Sequence, residues 1–121
     1  MANEITFRLT LTLANGVLAD TFAPGKLQID QATARKYSEV KNVGTSEESV
    51  TAFGDISNNG VMYLYNLDAT NYVSVGFSTG VYGIRLKPGG IPAVFNGEPT
   101  ADLYLLANTA ACDVLITNYE L

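Results

Sequence analysis

The chain has 121 residues, enough for one domain that buries a core without metal or disulfide staples. Its 12 acids against 7 bases give a net charge of −5, which argues against nucleic acid and anionic membrane surfaces as partners. Histidine is absent, which excludes Ser-His-Asp and Cys-His catalysis and removes the commonest zinc ligand.

Cys112 is the single cysteine, so no intrachain disulfide organises the fold. With no cationic neighbour to lower its pKa it reads as a small buried filler. The opening Met-Ala-Asn-Glu carries no basic segment, and no stretch reaches the roughly 20 apolar residues that span a bilayer. Synthesis in a cytoplasm without a signal peptide is the expectation. Charged residues make up 16% of the chain, where an ordinary domain carries about 25%. Depletion of charge is a property of interface cores.

In chain order, Ile5, Phe7, Leu9, Leu11 and Leu13 alternate with Thr6, Arg8, Thr10 and Thr12, the period of a strand with one apolar face. Asn15-Gly16 predicts a type I′ hairpin turn into a return arm near Val17 to Phe22. That turn would set Leu13 opposite Leu18 and Leu9 opposite Phe22. Ala23-Pro24-Gly25 breaks the run, and residues 26–31 resume extended with Leu27 and Ile29 inward. Over residues 32–43 the spacing of Ala34, Tyr37 and Val40 permits a short helix. Tyr37, Glu39, Lys41 and Val43 on one side of a strand is the preferred reading. Thr45 to Ser49 has the chemistry of a polar turn or helix cap, and is too short before Val50 to Phe53 to hold more than one turn.

Further strands are predicted at 61–65, 72–77, 81–86, 91–95, 103–107 and 114–119. Turns at Asn59-Gly60, residues 66–71, Ser78-Thr79-Gly80, Pro88-Gly89-Gly90 and the loop from Asn96-Gly97 to Glu98-Pro99 separate them. Turns about every ten residues between short β-branched and aromatic runs indicate an all-β fold. The expectation is one domain over 1–121, an antiparallel β-sandwich of about eight or nine short strands, with the jelly roll among its possible forms.

Two strands break the in-and-out alternation. Val61 to Tyr65 and Leu103 to Ala107 are apolar on both faces, whereas the outer face of a sandwich is normally wet. Its own loops could cover such a face, and so could a neighbouring subunit. In a chain this poor in charge the subunit is preferred, with Tyr63, Tyr65 and Tyr104 as the candidate interface residues.

Chemistry is sparse. Gly54-Asp55 and Pro88-Gly89-Gly90 lack phosphate-loop spacing and read as turns. Glu47 and Glu48 are expected in solvent, and Asp55, Asp68, Asp102 and Asp113 stand singly, with no spacing that selects a catalytic pair or a calcium site. The reading is therefore of no enzyme, no cofactor and no metal. Sugar binding is the alternative, with Tyr72 and Tyr82 nearest to loops, in a chain without tryptophan.

Three stretches carry a resemblance: ITFRLTLTLANGVLADTFAPGKLQIDQA, then VGTSEESVTAFGDISNNGVMYLYNLDATNYVSVG, then IRLKPGG with the ending ADLYLLANTAACDVLITNYEL. Their order resembles small structural proteins of tailed bacteriophages. In that family a glycine opens a strand into an Asn-Leu-Asp-x-Thr-Asn-Tyr turn, a Leu-x-x-Gly turn follows, and the chain closes on an Ala-rich strand. Asn66 to Tyr72 is the most specific part. Ile91 stands after Pro88-Gly89-Gly90, where relatives are expected to carry an acid. The resemblance implies a virion protein: a capsid decoration or cement subunit, or a head-fibre or tail accessory piece. It implies association, often as trimers, with partners such as the major capsid protein. The alternative it leaves is a lectin-like receptor-binding module of a tail or head fibre.

Overall fold

Residues 3–50, 56, 59–96 and 102–121 are described by the computed structural model, and among them every regular element is a strand. No helix among the described residues is long and apolar enough to cross a membrane. In chain order the strands are β1 (Ile5–Asn15), β2 (Leu18–Ile29), β3 (Lys36–Val43), β4 (Glu48–Val50), β5 (Val61–Asn66), β6 (Val73–Gly76), β7 (Ile84–Leu86), β8 (Ala93–Asn96), β9 (Leu103–Ala107) and β10 (Cys112–Tyr119). The fold is an all-β antiparallel sandwich with an additional hairpin. Sequence reasoning treats 1–121 as one unit; in space the chain groups into two, Met1–Thr33 and Ala34–Leu121.

The first unit is the β1–β2 hairpin. Its turn differs from the expected one. Asn15 pairs with Leu18, so Gly16 and Val17 are the central residues, and only Gly16 has positive φ, at 60°. Glycine at the first central position is the type II′ arrangement, and it moves the register by two from the expected one. Leu11 thus faces Phe22, Leu13 faces Asp20, and Leu9 faces Gly25. Ala23-Pro24 does not end the strand. It is absorbed as an irregularity between the Leu9 and Leu11 pairs, where Pro24 has no N–H to contribute.

That extra residue decides which side chains share a face. Side chains alternate with period two, so Leu18 and Phe22 would otherwise lie opposite to Leu27 and Ile29. The shift reverses the parity and gathers all four with Ile5, Phe7, Leu9, Leu11 and Leu13. The other face holds Thr6, Gln28, Arg8, Lys26, Thr12 and Thr21.

The second unit has two four-stranded sheets, ordered β3-β10-β5-β8 and β4-β9-β6-β7. The pairings β3 with β10, β4 with β9, β5 with β8 and β6 with β7 are nested antiparallel pairs, dealt alternately to the two sheets. Between the sheets lies the core: Val43, Met62, Leu64, Val114 and Ile116 from the first, and Val73, Val75, Leu86, Leu103 and Leu105 from the second. Each such side chain stabilises the fold by about 1.5–3 kcal/mol when fully buried. Cys112 belongs to this core, and burial raises its thiol pKa, the environment of an inert filler.

Residues 36–43 form a strand, as preferred, with Tyr37, Glu39, Lys41 and Val43 on the inner side opposite Asn118, Ile116, Val114 and Cys112. Since β3 is an edge strand, Glu39 and Lys41 place inward-pointing charge on it, which opposes pairing with a foreign strand. Lys41 meets Glu48 of the other sheet at 3.9 Å. Glu39 hydrogen-bonds Tyr37; with burial as the larger cause, this pushes the phenol up to about 12.

Polar stitches close the sandwich. Asn118 is fully buried at the end of β10; it donates to Asn59 Oδ1 at 2.8 Å and accepts from the Gly60 amide at 3.3 Å. The β5–β6 crossover, residues 66–72, is organised by two side chains. Asn66 Nδ2 donates to the carbonyls of Asn71 (2.8 Å) and Leu86 (2.9 Å), while its Oδ1 accepts from the Asp68 amide (2.9 Å). Asp68 Oδ2 accepts from the amides of Thr70 (2.9 Å) and Asn71 (2.6 Å).

Those backbone donors, Asn71 before Thr70, hold the Asp68 carboxyl below its ordinary pKa. A depressed folded pKa contributes stability that is complete above the unfolded value and is lost as pH falls through the folded one. Asp68→Asn should therefore lower the urea midpoint at pH 7. The gap to wild type should narrow as pH drops below about 4. A gap unchanged in acid would show that the carboxylate charge contributes nothing to this turn.

Candidate interaction surface

Tyr63 and Tyr65 alternate with buried Met62 and Leu64 along β5, so they point out of the sandwich. The register places them in two rows across the sheet. One row reads Val40, Leu115, Tyr65, and the next reads Ser38, Thr117, Tyr63, Val94. Val40 is 57% and Val94 42% exposed at the margins, while Tyr63, Tyr65 and Leu115 are half-buried. Thr117 is buried although it faces outward; its hydroxyl lies 3.0 Å from that of Ser38. The Tyr119 ring packs on Tyr63 with centroids 6.3 Å apart. Among the described residues of its strands, charge enters this face only at its ends, through Asp113, which accepts from Asn42 Nδ2 at 3.0 Å, and through Lys36. An uncharged aromatic centre with a polar rim is the anatomy of a protein–protein contact.

Part of the Tyr65 ring is covered from within the chain. A Cβ added at Gly90 would stand 2.8 Å from the Tyr65 hydroxyl, so the Pro88-Gly89-Gly90 turn lies against the phenol. Both glycines have positive φ, which a side chain would strain. The hydroxyl side of Tyr65 is thus positioned by its own loop, while Tyr63 is flanked by the Tyr119 ring.

Tyr104 belongs to the opposite outer face. It alternates with buried Leu103 and Leu105 on β9, in the second sheet, and pairs with Gly76. Over Gly76 the chain folds back: an added Cβ would stand 1.8 Å from the Val81 carbonyl oxygen. This is why the predicted strand at 81–86 begins only at Ile84. Val81 instead bridges to Ser78, and Gly83 donates to the Val75 carbonyl at 3.1 Å. The three tyrosines singled out from the sequence therefore lie on two surfaces separated by the core, and Tyr63 and Tyr65 alone share one.

Glu47 and Glu48, expected in solvent, are structural acceptors. Glu47 takes a bond from the Gly80 amide at 2.7 Å and a very short one from the Tyr82 hydroxyl, holding the 78–82 turn in place. That bond, ahead of desolvation, pushes the Tyr82 phenol up to about 12. Glu48 accepts from the Gly44 amide at 2.6 Å. Sequence reasoning missed Glu47 because its donors lie 33 and 35 residues away, in a turn whose return path is not visible locally; Glu48 bonds within its own turn, four residues from Gly44. Asp55, and the turns expected at 54–55 and 97–99, lie outside the described residues. Among the described residues no three His, Cys, Asp or Glu side chains gather as a metal site.

The tyrosines considered for sugar stacking do not converge. Arg85 lies over the Tyr72 ring, 4.5 Å from its centroid, and Tyr82 is bonded to Glu47. A groove of about 370 Å³ along the β7–β8 connection is lined by Arg85, Lys87, Pro88, Ile91 and Pro92 among others, and by neither tyrosine. No protein-family model, curated protein or solved structure matches this chain.

Proposed function

We propose that this chain is a non-enzymatic structural subunit of a bacteriophage virion, a capsid decoration or cement protein that reinforces the shell through protein–protein contacts. The observation that carries this reading is the outer face around Tyr63 and Tyr65, uncharged at its centre in a chain only 16% charged. The nested pairing dealt alternately to two four-stranded sheets is the order of a jelly roll, an architecture of viral capsid and lectin domains. Fold alone does not assign function, so the site and the family resemblance in the sequence bear the weight. In this role the partners are copies of the chain itself, with a trimer favoured, and the major capsid protein. Nucleic acid and membrane are not partners, and the working location is the virion.

Reinforcing a shell asks for rigidity and contact area. About 800 Å² from each partner suffices for a stable contact, and no reactive group is needed. Tyr63→Glu is expected to abolish co-sedimentation with assembled phage shells while leaving the urea midpoint near that of wild type. Tyr65→Glu should weaken binding less, since the Gly90 turn already covers part of that ring. Undiminished shell binding by Tyr63→Glu would remove this face from the contact. Saturable binding to a glycan array without any to shells would favour the lectin-like alternative.

A further inference from the structure

The hairpin of residues 5–29 presents a problem that the sandwich face does not. A two-stranded ribbon is at best marginally stable in water, and needs more strands or a packed face to persist. This ribbon gathers its apolar side chains on one face: Ile5, Phe7, Leu9 and Ile29 are half-buried, while Leu11 is 55%, Phe22 53% and Leu27 46% exposed. The irregularity at Ala23-Pro24 is what keeps Leu27 and Ile29 on that face. Without it the greasy residues would be shared between both sides and neither would be a surface.

We propose that this face is a self-association surface, which stacks on the same face of a second copy of the chain. The inference does not depend on the viral reading. Asp20, beside Leu13, is the single charge on the face between the turn and Ile5, so a partner must be almost wholly apolar there. It must also be long and narrow, since 11 residues of strand span about 37 Å and two strands with their side chains are about 10 Å across. A second ribbon has that length, that width and the same right-handed twist, which aligned sheet packing requires. Two such faces would together bury on the order of 1,000 Å², the lower bound for a specific interface.

The charge also selects the orientation. Parallel stacking would bring the two Asp20 carboxylates together, whereas antiparallel stacking sends them to opposite ends. Gly25, over which an added Cβ would meet nothing within 4 Å, leaves an open space beside Leu9 near the middle of the face. A side chain of the opposite copy fills it.

Sedimentation of the intact chain across a concentration series tests this. Wild type should run as a dimer or a multiple of two, and Leu11→Asp should weaken self-association by roughly a hundredfold. Thr12→Asp, on the polar face, should leave it unchanged. All seven tyrosines lie in residues 34–121, so near-UV dichroism reports whether the sandwich stays intact in each variant. Should Leu11→Asp damage the hairpin itself, Leu11→Cys supplies an independent reading. A short bis-maleimide should link its copies covalently, and Thr12→Cys should not link; Cys112 is buried. A solitary wild-type chain, an odd number of copies, an assembly that Leu11→Asp leaves undiminished in size, or no cross-link at Leu11→Cys each overturns the proposal; two sandwich-face trimers joined through their hairpins make six copies, which Leu11→Asp should split into trimers. Loss of the oligomer in Tyr63→Glu but not in Leu11→Asp would overturn it while leaving the sandwich-face reading standing.

Discussion

Gly76→Ala is expected to destabilise the sandwich by about 3 kcal/mol, the upper end of what overpacking usually costs. The new Cβ would stand 1.8 Å from the Val81 carbonyl oxygen and 2.9 Å from its carbon. Both are backbone atoms, so no rotamer change relieves the clash. Either β6 shifts against β9 and β7, or the 77–83 turn lifts away. Lifting the turn breaks the bond from Gly83 to the Val75 carbonyl and strains those that Glu47 makes to Gly80 and Tyr82. In urea a loss of this size lowers the midpoint by roughly 2 M at a slope near 1.5 kcal/mol per M. Gly83→Ala is the matched control. Its added Cβ meets nothing within 4 Å, so its stability should stay within about 0.5 kcal/mol of wild type. Equal midpoints for the two variants would mean that the turn does not rest on Gly76.

Asn66→Ala should cost a similar amount, about 3 kcal/mol, by a different route. The side chain is 3% exposed, and all its described bonds go to backbone: two carbonyls accept from its amide and one N–H donates to its oxygen. Truncation leaves these groups unpaired, at about 1–3 kcal/mol for each that water cannot reach. The Leu86 carbonyl is the buried one. Because β5 belongs to one sheet and Leu86 to the other, the loss also releases a link between the layers. Asn66→Asp should be worse than alanine at pH 7, since it sets a carboxylate against two carbonyl oxygens. Thermal unfolding of the three proteins ranks them. A variant at position 66 as stable as wild type would show that water replaces these bonds without penalty.

Much of this molecule is legible in its residues, and the places where reading stops are specific. Alternation along 5–13 identifies a strand, and it identifies which side chains travel together. It does not identify the partner register: Asn15-Gly16 favours one two-residue turn, Gly16-Val17 another, and the chain takes the second. Asn66 to Tyr72, the most distinctive stretch, is a device of folding: Asn66 and Asp68 bond to backbone within the crossover, and Asn66 also to Leu86 in the other sheet. At 81–86 a β-rich run is only half a strand, because Val81 is taken up by a turn over Gly76. Nothing local announces that contact.

The same boundary runs through the candidate surface. That Tyr63 and Tyr65 lie on one side of their strand follows from period-two geometry, a property of the strand alone; that this side and that of Tyr104 face outward is decided by the burial of Met62, Leu64, Leu103 and Leu105 between the sheets. That two of them share a face and the third lies across the core follows from the dealing of nested pairs to two sheets. Inward-facing residues of most of these strands are interchangeably apolar, so no segment names its neighbour in advance. Strand pairing is chosen by closure of the whole: the sheets must bury one core together, and a single strand carries no record of that.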